Sequence, residues 1–492
     1  MLPTQGTIHF SNYSDLYDIV VSKDNKWRRL SELTDFSFVY DELKDKYCPD
    51  NGRMAEDPVR MFKYLILKSA MGLSDVDLVE RCMSDMACKF FLGLAPEDNV
   101  IEASTLCKFR RMRLKDADLL DTLINKSIEI ARSNNIEISK RIIVDSTHTL
   151  SRSNPMLPAV ALQKQAKILR KSVYEADATM KDKMPAKYEG DNLEKEMDYV
   201  LELLTFLKDQ KVSFMSSVSE KMNMLSEMLD DIKDHYTVSV DPDARTGHKA
   251  ADSEFFGYKG HLAVTTDRLV VAATMTSGEK GDGPQLPELI RKAKVNVPDL
   301  KDVIGDGAYC GQTNLETADE EKVSLIAKFN SCVADERNIE RNGFTYNKDA
   351  EMMVCPAGHM AISKTVVKHD YMENSNDVMR FSFSATKCKH CVHAEQCGYK
   401  WTKTRRSGKI YYVSIPTKEQ IRHRKEQETP AFKEKYRDRY IVEAKNAELK
   451  NVYHLKRAIS YGLDAYTLQG AVAIFTSNLV RINKILSEKA GK

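Results

Sequence analysis

The sequence predicts a mixed α/β fold in which helical segments flank and interrupt one sheet. Two short β-branched runs, "RIIVD" and "DVIGD", end in Asp145 and Asp306 and have the character of buried strands. Residues 257–278 alternate as a β-hairpin does and turn at Thr266–Arg268. Helical periodicities fill the chain before, between and after these runs. The strands on either side of the helices are therefore interpreted as one α+β mixed sheet.

Length and composition bound the class of protein. The chain of 492 residues suggests roughly three structural units, at about 150 residues per domain. Hydrophobic residues make up 42% and charged residues 30%, which is ordinary for a soluble globular protein. Residues 1–20 contain no basic start followed by an apolar run, and no apolar stretch approaches the roughly 20 residues that cross a bilayer. These features predict a cytoplasmic protein without membrane contact.

Residues 1–135 predict a helical N-terminal domain. Apolar residues line one face of "DPVRMFKYLILKSA", Gly72 breaks that helix, and "SDVD" at 74–77 fits a capping box that opens the next one. A further helix begins at Ser104 and is rich in Lys and Arg. This order of helices is typical of DNA-binding domains and also of small helical domains with other roles, so both interpretations stay open.

The middle of the chain alternates between strand and helix patterns. Residues 136–151 predict the first strand of the sheet, and residues 236–330 predict its remaining core strands. Residues 152–235 predict a helical-hairpin insertion, because apolar side chains recur every three or four residues in two stretches. These stretches contain Leu193, Met197, Val200, Leu204 and Leu207, then Val218, Met222, Leu225, Leu229 and Ile232.

Five of the ten cysteines lie in residues 331–428; Cys332 stands alone and the other four cluster. Two residues separate Cys388 from Cys391, Cys397 follows after five more, and Cys355 lies upstream. Without an export signal these thiols are not expected to form disulfides. Four thiolates suit a closed tetrahedral zinc site that would stabilise a small insertion lacking its own core. An iron–sulfur cluster and unliganded thiols are the alternatives.

A ladder of four side chains marks the last segment, residues 429–492. In "YRDRYIVEAKNAELK", Tyr436, Arg439, Glu443 and Lys450 follow one another at steps of three, four and seven, which places them on one face of a helix. Residues 400–450 also carry 15 Lys and Arg against 7 Asp and Glu. The pattern predicts either a salt-bridged surface or a face that binds a metal ion and phosphates.

The acidic residues favour a face that binds a metal ion and phosphates over a salt-bridged surface. A carboxylate at the end of a buried strand costs free energy unless it is paired or binds something, although Asp306 before Gly307 also suits a plain turn. Asp145, Asp306 and Glu443 come from three separate segments. Three carboxylates of this kind are what Mg²⁺ prefers, because it takes oxygen ligands and leaves positions for water and phosphate.

These residues resemble the aspartate–aspartate–glutamate triad of bacterial insertion-sequence transposases. Asp145 stands in "VDSTH", Asp306 in "GDGAY" and Glu443 in the ladder, whose spacing of two, three and six intervening residues matches the tyrosine–arginine–glutamate–lysine signature of that superfamily. The segments "GYKGH", "DPDAR" and "GLDAYTLQG" and the cysteine insertion make the insertion-sequence eleven-eighty-two family the nearest resemblance, over nearly the whole chain.

The resemblance implies a DDE transposase with a ribonuclease-H-like core, whose acids lie on the first strand, the fourth strand and a following helix. Asp145, Asp306 and Glu443 would bind two Mg²⁺ (or Mn²⁺) ions. These would support cleavage at the ends of an insertion sequence and transfer of the freed strand into target DNA.

The resemblance also implies the DNA contacts. Arg439 and Lys450 would bind phosphates beside the scissile bond, and Tyr436 would stack on a base or contact the backbone. The implied partners are DNA, as terminal inverted repeats and as target, and a second copy of the chain in a homodimer on DNA. His148 and Tyr258–Lys259 are near enough in sequence to these motifs to border the site, but structural roles are favoured for them.

Two other functions fit parts of the pattern. An iron–sulfur-stapled DNA nuclease would use the same cysteine spacing, and it would be brown where a zinc protein is colourless. A non-catalytic, domesticated zinc-dependent DNA-binding protein would keep the fold without the reaction. The intact set of three acids argues against this non-catalytic alternative.

Overall fold

The N-terminal part of the chain is a group of short helices. The computed structural model describes residues 11–48, 54–114, 118–188, 190, 192–233, 239–250, 253–329, 343–347, 350–368, 377–394, 397, 408–415 and 417–490. Local capping explains the clearest boundaries. The Asp57 side chain accepts a hydrogen bond from the Val59 amide at the start of the fourth helix, and that helix ends at Gly72 with a φ of +66°. The helices are α1 (Leu16–Val20), α2 (Lys26–Leu33), α3 (Phe38–Leu43), α4 (Pro58–Met71), α5 (Asp75–Ser84), α6 (Met86–Leu92), α7 (Ala103–Arg113) and α8 (Leu119–Ser133).

The centre of the molecule is one mixed sheet of six strands. They are β1 (Arg141–Leu150), β2 (Arg245–Ala250), β3 (Ser253–Thr265), β4 (Val270–Ser277), β5 (Asp302–Ile304) and β6 (Ser324–Ile326). β3 pairs antiparallel with β1, and it also pairs antiparallel with β2 and β4. β5 runs parallel to β1, and β6 runs parallel to β5. β5 pairs with Arg141–Ile143 of β1, and the second half of β1 continues beyond that pairing.

The first strand lies within the predicted residues 136–151 and extends beyond the β-branched run that ends at Asp145. β1 continues to Leu150 because β3 pairs with it from Ile142 to Leu150. Asp145 therefore lies inside the strand, opposite Leu262. The sequence of the second half of β1 shows no apolar alternation, because its buried, inward-facing residues are Thr147 and Thr149. The predicted hairpin is present as β3 and β4.

Among the described residues between β1 and β2, three α-helices are present: α9 (Pro158–Ala176), α10 (Leu193–Lys208) and α11 (Ser216–Lys233). They pack on one another around an apolar cluster separate from that of the sheet. The sequence pattern predicts a two-helix hairpin from the apolar stripes that α10 and α11 carry. The structure adds α9, whose Leu162, Leu169 and Val173 are fully buried in the same cluster.

The cysteine-rich segment follows α12 (Leu286–Asn296) and α13 (Gln312–Glu320). Its elements are β7 (Thr345–Asn347), β8 (Met352–Val354), β9 (Ser363–Val367), β10 (Val378–Ser382), α14 (Ala385–Lys389) and β11 (Ile410–Ser414). β7 pairs with β8, and β10 pairs antiparallel with β9 and β11. The expectation that this segment has no core is wrong, because Phe344, Met353, Phe381 and Phe383 form a small buried apolar cluster.

The C-terminal helices join the helical and sheet parts of the molecule. They are α15 (Lys418–Gln427), α16 (Pro430–Tyr436), α17 (Tyr440–Asn451) and α18 (Leu463–Ala490). α18 packs against α4, α8 and β4, so the N-terminal helices and the sheet share one apolar core. Within the described residues, none of the helices has the length and apolarity that a bilayer crossing requires.

Candidate active site

Two aspartates lie on neighbouring parallel strands. Asp145 is in the part of β1 that continues beyond β5, and Asp306 follows β5 by two residues. The Asp306 carboxylate accepts a hydrogen bond of 2.9 Å from the Ala308 amide and so caps the turn at Gly307–Tyr309. Burial, together with the nearby Asp306 carboxylate, raises the pKa of Asp145 to about 6. The two strands thus bring two acids into one partly desolvated place.

A third residue links helix α17 to this pair. Asn446 is buried, and its Nδ2 donates a hydrogen bond of 2.8 Å to Oδ2 of Asp145. The ladder predicted from the sequence omits Asn446, because its four-residue signature contains no amide side chain. A signal was available, since Asn446 lies three residues after Glu443 and four before Lys450, on the same helical face.

The ladder does not lie on one continuous helix. α16 ends at Tyr436, Arg437–Arg439 form a 3-10 turn, and α17 begins at Tyr440. Two contacts nevertheless connect its first three members. Nη1 of Arg439 lies 3.3 Å from the Tyr436 hydroxyl, and Nη2 of Arg439 lies 3.8 Å from Oε1 of Glu443.

Arg439 connects the ladder electrostatically to the two aspartates. Burial lowers the pKa of the Arg439 guanidinium. The hydrogen bond to Tyr436 and the nearby Asp306 and Asp145 carboxylates have the larger, opposite effect, so the pKa is raised overall. Its Nε is buried without a partner among the described residues. A guanidinium held beside two carboxylates, with a donor unused, is suited to bind an additional anion such as a phosphate.

Glu443 lies further from the aspartates than the resemblance implies. Its side chain is 62% exposed, and its nearest cationic partner is Arg439. In the described ranges, no three His, Cys, Asp or Glu side chains converge closely enough to hold a metal ion. The donor chemistry still fits a hard divalent cation. Carboxylate oxygens are its preferred ligands, and a cation would relieve the buried charge of Asp145.

Lys450 reaches the same place from the other end of the ladder. Its Nζ lies 3.3 Å from Nδ1 of His148, on β1. Burial, together with the Lys450 ammonium, lowers the pKa of His148 to about 4. The imidazole is therefore neutral at pH 7 and accepts a hydrogen bond from Lys450, which orients the lysine beside Asp145.

Tyr258 and Lys259, both in the GYKGH motif, have different roles. Tyr258 is fully buried and donates a hydrogen bond of 2.5 Å to Asp241, which suits the structural role that the sequence favours. Lys259 instead lies 3.0 Å from the Asp282 carboxylate, in the turn after β4. Asp282 also accepts a hydrogen bond of 2.8 Å from the hydroxyl of Ser146, the residue after Asp145. Sequence reasoning missed Asp282, because no strand or helical stripe marks its turn.

The predicted zinc ligands line one small cavity. Cys355, Cys388, Cys391 and Cys397 surround it together with His359 and His393. None of the nine described cysteines forms a disulfide, and Cys332 lies outside the described residues. Burial and the neighbouring thiols raise the pKa of Cys388, although the Lys409 amide, 3.4 Å from its sulfur, opposes them. The sulfur-rich donor set fits a soft ion such as zinc, but its sulfurs do not converge to ligand spacing here.

Two family models match the sequence. Residues 14–112 match a model described as a transposase domain (DUF772). Residues 231–479, about half of the chain, match a model described as a transposase DDE domain. The second match includes Asp306 and Glu443, whereas Asp145 precedes it, on the far side of helices α9–α11. No curated protein matches the chain.

Proposed function

Because the chain belongs to the transposase DDE domain family and is a DNA transposase, we propose that it cuts DNA at the ends of an insertion sequence and joins those ends to target DNA. Asp145, Asp306 and Glu443 are the proposed ligands of Mg²⁺ or Mn²⁺. The DNA partners are the terminal inverted repeats and the target, and two copies of the chain act together on them. Acting on such DNA, the protein would work in the cytoplasm.

The observation that carries this proposal is the place of Asp145. It lies beside Asp306 across two parallel strands and is bound by Asn446 of α17, one helical turn from Glu443. Without the short edge strand β2, the strands in chain order are β1, β3, β4 and β5, and Asp306 follows the fourth of them. A ribonuclease-H-like core of the insertion-sequence eleven-eighty-two type would have its second acid at this position. The same contacts support Glu443 as the third acid, since its helix is already anchored to the first.

The chemistry is an in-line displacement at phosphorus, carried out twice. Water attacks at the end of the insertion sequence, and the bond to the 3′ oxygen breaks to free a 3′-OH. That hydroxyl then attacks a target phosphate and displaces another 3′ oxygen. Divalent cations, when bound, activate the nucleophile and stabilise the leaving oxygen.

The protein's own residues position the DNA. Asn446 holds the Asp145 carboxylate, and neutral His148 holds the Lys450 ammonium beside it. Arg439 and Lys450 bind the phosphates that flank the scissile bond. One face of the Tyr436 ring stacks on Phe432, and the Lys328 ammonium lies 4.6 Å from the ring centre. Contact with the DNA backbone through the Tyr436 hydroxyl is therefore favoured over stacking on a base.

A structural zinc ion is the second part of the proposal. Cys355, Cys388, Cys391 and Cys397 would bind it within the cysteine-rich segment. The support is that all four sulfurs face one cavity and that Gly358, with a φ of +76°, forms the tight turn after Cys355. The iron–sulfur alternative uses the same cavity and is distinguished by colour.

Three isosteric variants test the triad. Asp145→Asn, Asp306→Asn and Glu443→Gln should each abolish Mg²⁺-dependent cleavage of DNA that carries the terminal repeats, while circular dichroism and DNA binding stay unchanged. Glu434→Gln is the matched control, because it removes an exposed carboxylate on α16, two residues before Tyr436. Near-normal cleavage by any triad variant would remove that residue from the site. A wild-type protein that binds the repeats without cleaving them would favour the domesticated DNA-binding alternative.

A further inference from the structure

Three lysines from separate parts of the chain come together near the second half of β1, and we call them the lysine cluster. Lys450 of α17 contacts His148 of β1, with its Nζ 3.3 Å from Nδ1 of the imidazole. Lys249 lies on the edge strand β2, and Lys456 lies in the connection between α17 and α18. The side chains of Lys249 and Lys456 are exposed, whereas Lys450 is half-buried. The cluster therefore opens to solvent on the side of its two exposed members.

A shift of register in β2 occurs at Lys249. The pairing of β2 with β3 passes from His248 opposite Glu254 to Ala250 opposite Ser253, so Lys249 is an extra residue with none opposite it on β3. An extra residue of this kind bends an edge strand and changes the direction of a side chain, and it is frequent beside active sites.

The ring of Phe255 connects this part of β2 to His148. The ring centre lies 5.1 Å from that of the His148 imidazole. The same ring covers Gly247 of β2, since a Cβ added there would lie 2.6 Å from Cζ of Phe255. Lys249 follows Gly247 by two residues. Packing across β1, β3 and β2 thus fixes the backbone of Lys249 relative to His148.

Backbone hydrogen bonds attach Lys456 to the end of β1. The Leu150 amide donates to the Lys456 carbonyl oxygen at 3.0 Å, and the Ala458 amide donates to the Leu150 carbonyl oxygen at 2.8 Å. Leu150 follows His148 by two residues. Lys450 and Lys456 are therefore held at one short stretch of β1, although they come from a helix and from the connection after it.

The three ammonium groups are close enough to repel one another. Burial lowers the pKa of Lys450, and the ammoniums of Lys249 and Lys456 lower it further, whereas the Asp145 carboxylate raises it. After burial and Lys450, the Lys249 ammonium also contributes to the lowered pKa of His148. Like charges held together cost free energy, and an anion bound among them offsets that cost.

We propose that Lys249 and Lys456 bind backbone phosphates of the DNA strand that runs from the active site along the second half of β1. Their surface is continuous with Lys450, which the proposed function already places on a phosphate beside the scissile bond. Contacts of this kind position the DNA without reading its sequence. The inference rests on the proposed transposase function and extends its DNA contacts beyond the ladder, to the edge of the sheet.

Binding of terminal-repeat DNA, measured by fluorescence anisotropy without divalent cations, tests the proposal. Lys249→Gln and Lys456→Gln should each weaken binding about fivefold to tenfold near 0.1 M salt, and each should reduce the salt dependence by roughly one counterion. Lys301→Gln is the matched control, because it removes an exposed ammonium directly before β5, at the end of that strand opposite to Asp306. It should bind as the wild type does. Wild-type affinity and salt dependence in both cluster variants would overturn the proposal.

A scan of the DNA backbone separates direct contact from an effect through the fold. A neutral methylphosphonate replaces each phosphate next to the cleavage site in turn. At the phosphate that Lys249 binds, the replacement should weaken binding by the wild type and leave the affinity of Lys249→Gln unchanged. Lys456→Gln should show the same behaviour at a different phosphate. Equal losses for wild type and variants at every position would refute direct contact.

Stability in the absence of DNA provides the remaining control. Both variants should melt at or above the wild-type temperature, because each relieves repulsion within the lysine cluster. A lower melting temperature together with an unaltered backbone scan would indicate a structural role and would refute the proposal. Failure of the wild type to bind terminal-repeat DNA would refute the proposed function on which the inference rests, whereas wild-type binding with unaffected cluster variants would refute the inference alone.

Discussion

Compared with the cysteine cavity, the carboxylate site draws its residues from far more distant parts of the chain. The four cysteines all lie in one segment, and tight turns at Gly358 and between Cys388 and Cys391 bring them together. Asp145, Asp306 and Asn446 come from two strands and a helix, with whole helical insertions between them. The first site depends on local chain geometry, whereas the second depends on the complete sheet.

This difference predicts different consequences of losing the metal. A site made within one small segment stabilises that segment, because the segment's own apolar cluster is small. The carboxylate site is set in a large apolar core that α18 and the sheet share. Removing the proposed cation should therefore stop DNA cleavage and leave the fold intact. Three experiments test this contrast.

The largest effect is expected at the cysteines. Purified protein should contain about one zinc per chain, and Cys388→Ser or Cys391→Ser should lose it. The cysteine-rich segment should then be cleaved rapidly in limited proteolysis, while the main thermal transition of the core is kept. Cys107→Ser is the control, because that thiol is exposed and lies on α7, outside the cavity. A metal-free wild-type protein with a protease-resistant segment would rule out zinc, and a brown protein would indicate an iron–sulfur cluster.

An intermediate effect is expected at the two proposed phosphate-binding residues, Arg439 and Lys450. Arg439→Gln and Lys450→Gln should keep helix propensity and change stability by only about 0–1 kcal/mol. Each should weaken binding to terminal-repeat DNA and reduce its salt dependence by roughly one counterion. Strand transfer should fall further than binding does, because these side chains also position the scissile bond.

The neighbouring Arg437 provides the comparison for these variants. It is exposed in the same 3-10 turn, so Arg437→Gln should leave the DNA affinity and the rate of transfer unchanged. The salt-bridged surface interpretation of the ladder expects the opposite pattern. It expects a small loss of stability in Arg439→Gln and Lys450→Gln, with DNA affinity and transfer rate unaffected.

The smallest effect concerns the stability of the site itself. The pKa of Asp145 is raised to about 6 in the folded state, above its ordinary value near 4, so the folded protein binds the proton more tightly than the unfolded chain. Protonation of Asp145 therefore contributes stability as the pH falls from 7 towards 4, whereas the half-buried His148, whose pKa is lowered to about 4, contributes in the opposite direction. Asp145→Asn should remove the Asp145 contribution, so the variant should be about 1–2 kcal/mol more stable than the wild type at pH 7, after allowance for partial exposure of the group, and this difference should shrink towards pH 4. Urea unfolding at pH 5 and pH 7 measures both effects, and an unchanged pH dependence in the variant would contradict them.

Catalysis should respond to pH in the opposite direction from the contribution that Asp145 makes to stability. The carboxylate form of Asp145 is the one that binds a cation, so cleavage should decline as the pH falls through about 6. If Asp145→Asn gains stability and loses DNA cleavage, Asp145 serves the reaction at the expense of stability.

Local patterns were sufficient for much of the secondary structure. Gly72 ends α4 and Ser74 caps α5, because capping depends on neighbouring backbone groups alone. The hairpin of β3 and β4 followed from alternation, and the cysteine spacing brought four sulfurs to one cavity. The sequence alone also predicted that Asp145 and Asp306 belong to strands of one sheet.

Tertiary structure decided what surrounds those acids. Pairing with β3 extended β1 to Leu150, and packing of α17 on β1 brought Asn446 to Asp145. The turn after β4 brought Asp282 to the Ser146 hydroxyl, and a 3-10 turn interrupted the ladder before Tyr440. No sequence period encodes such contacts, because they depend on how strands pair and helices pack across large separations in the chain.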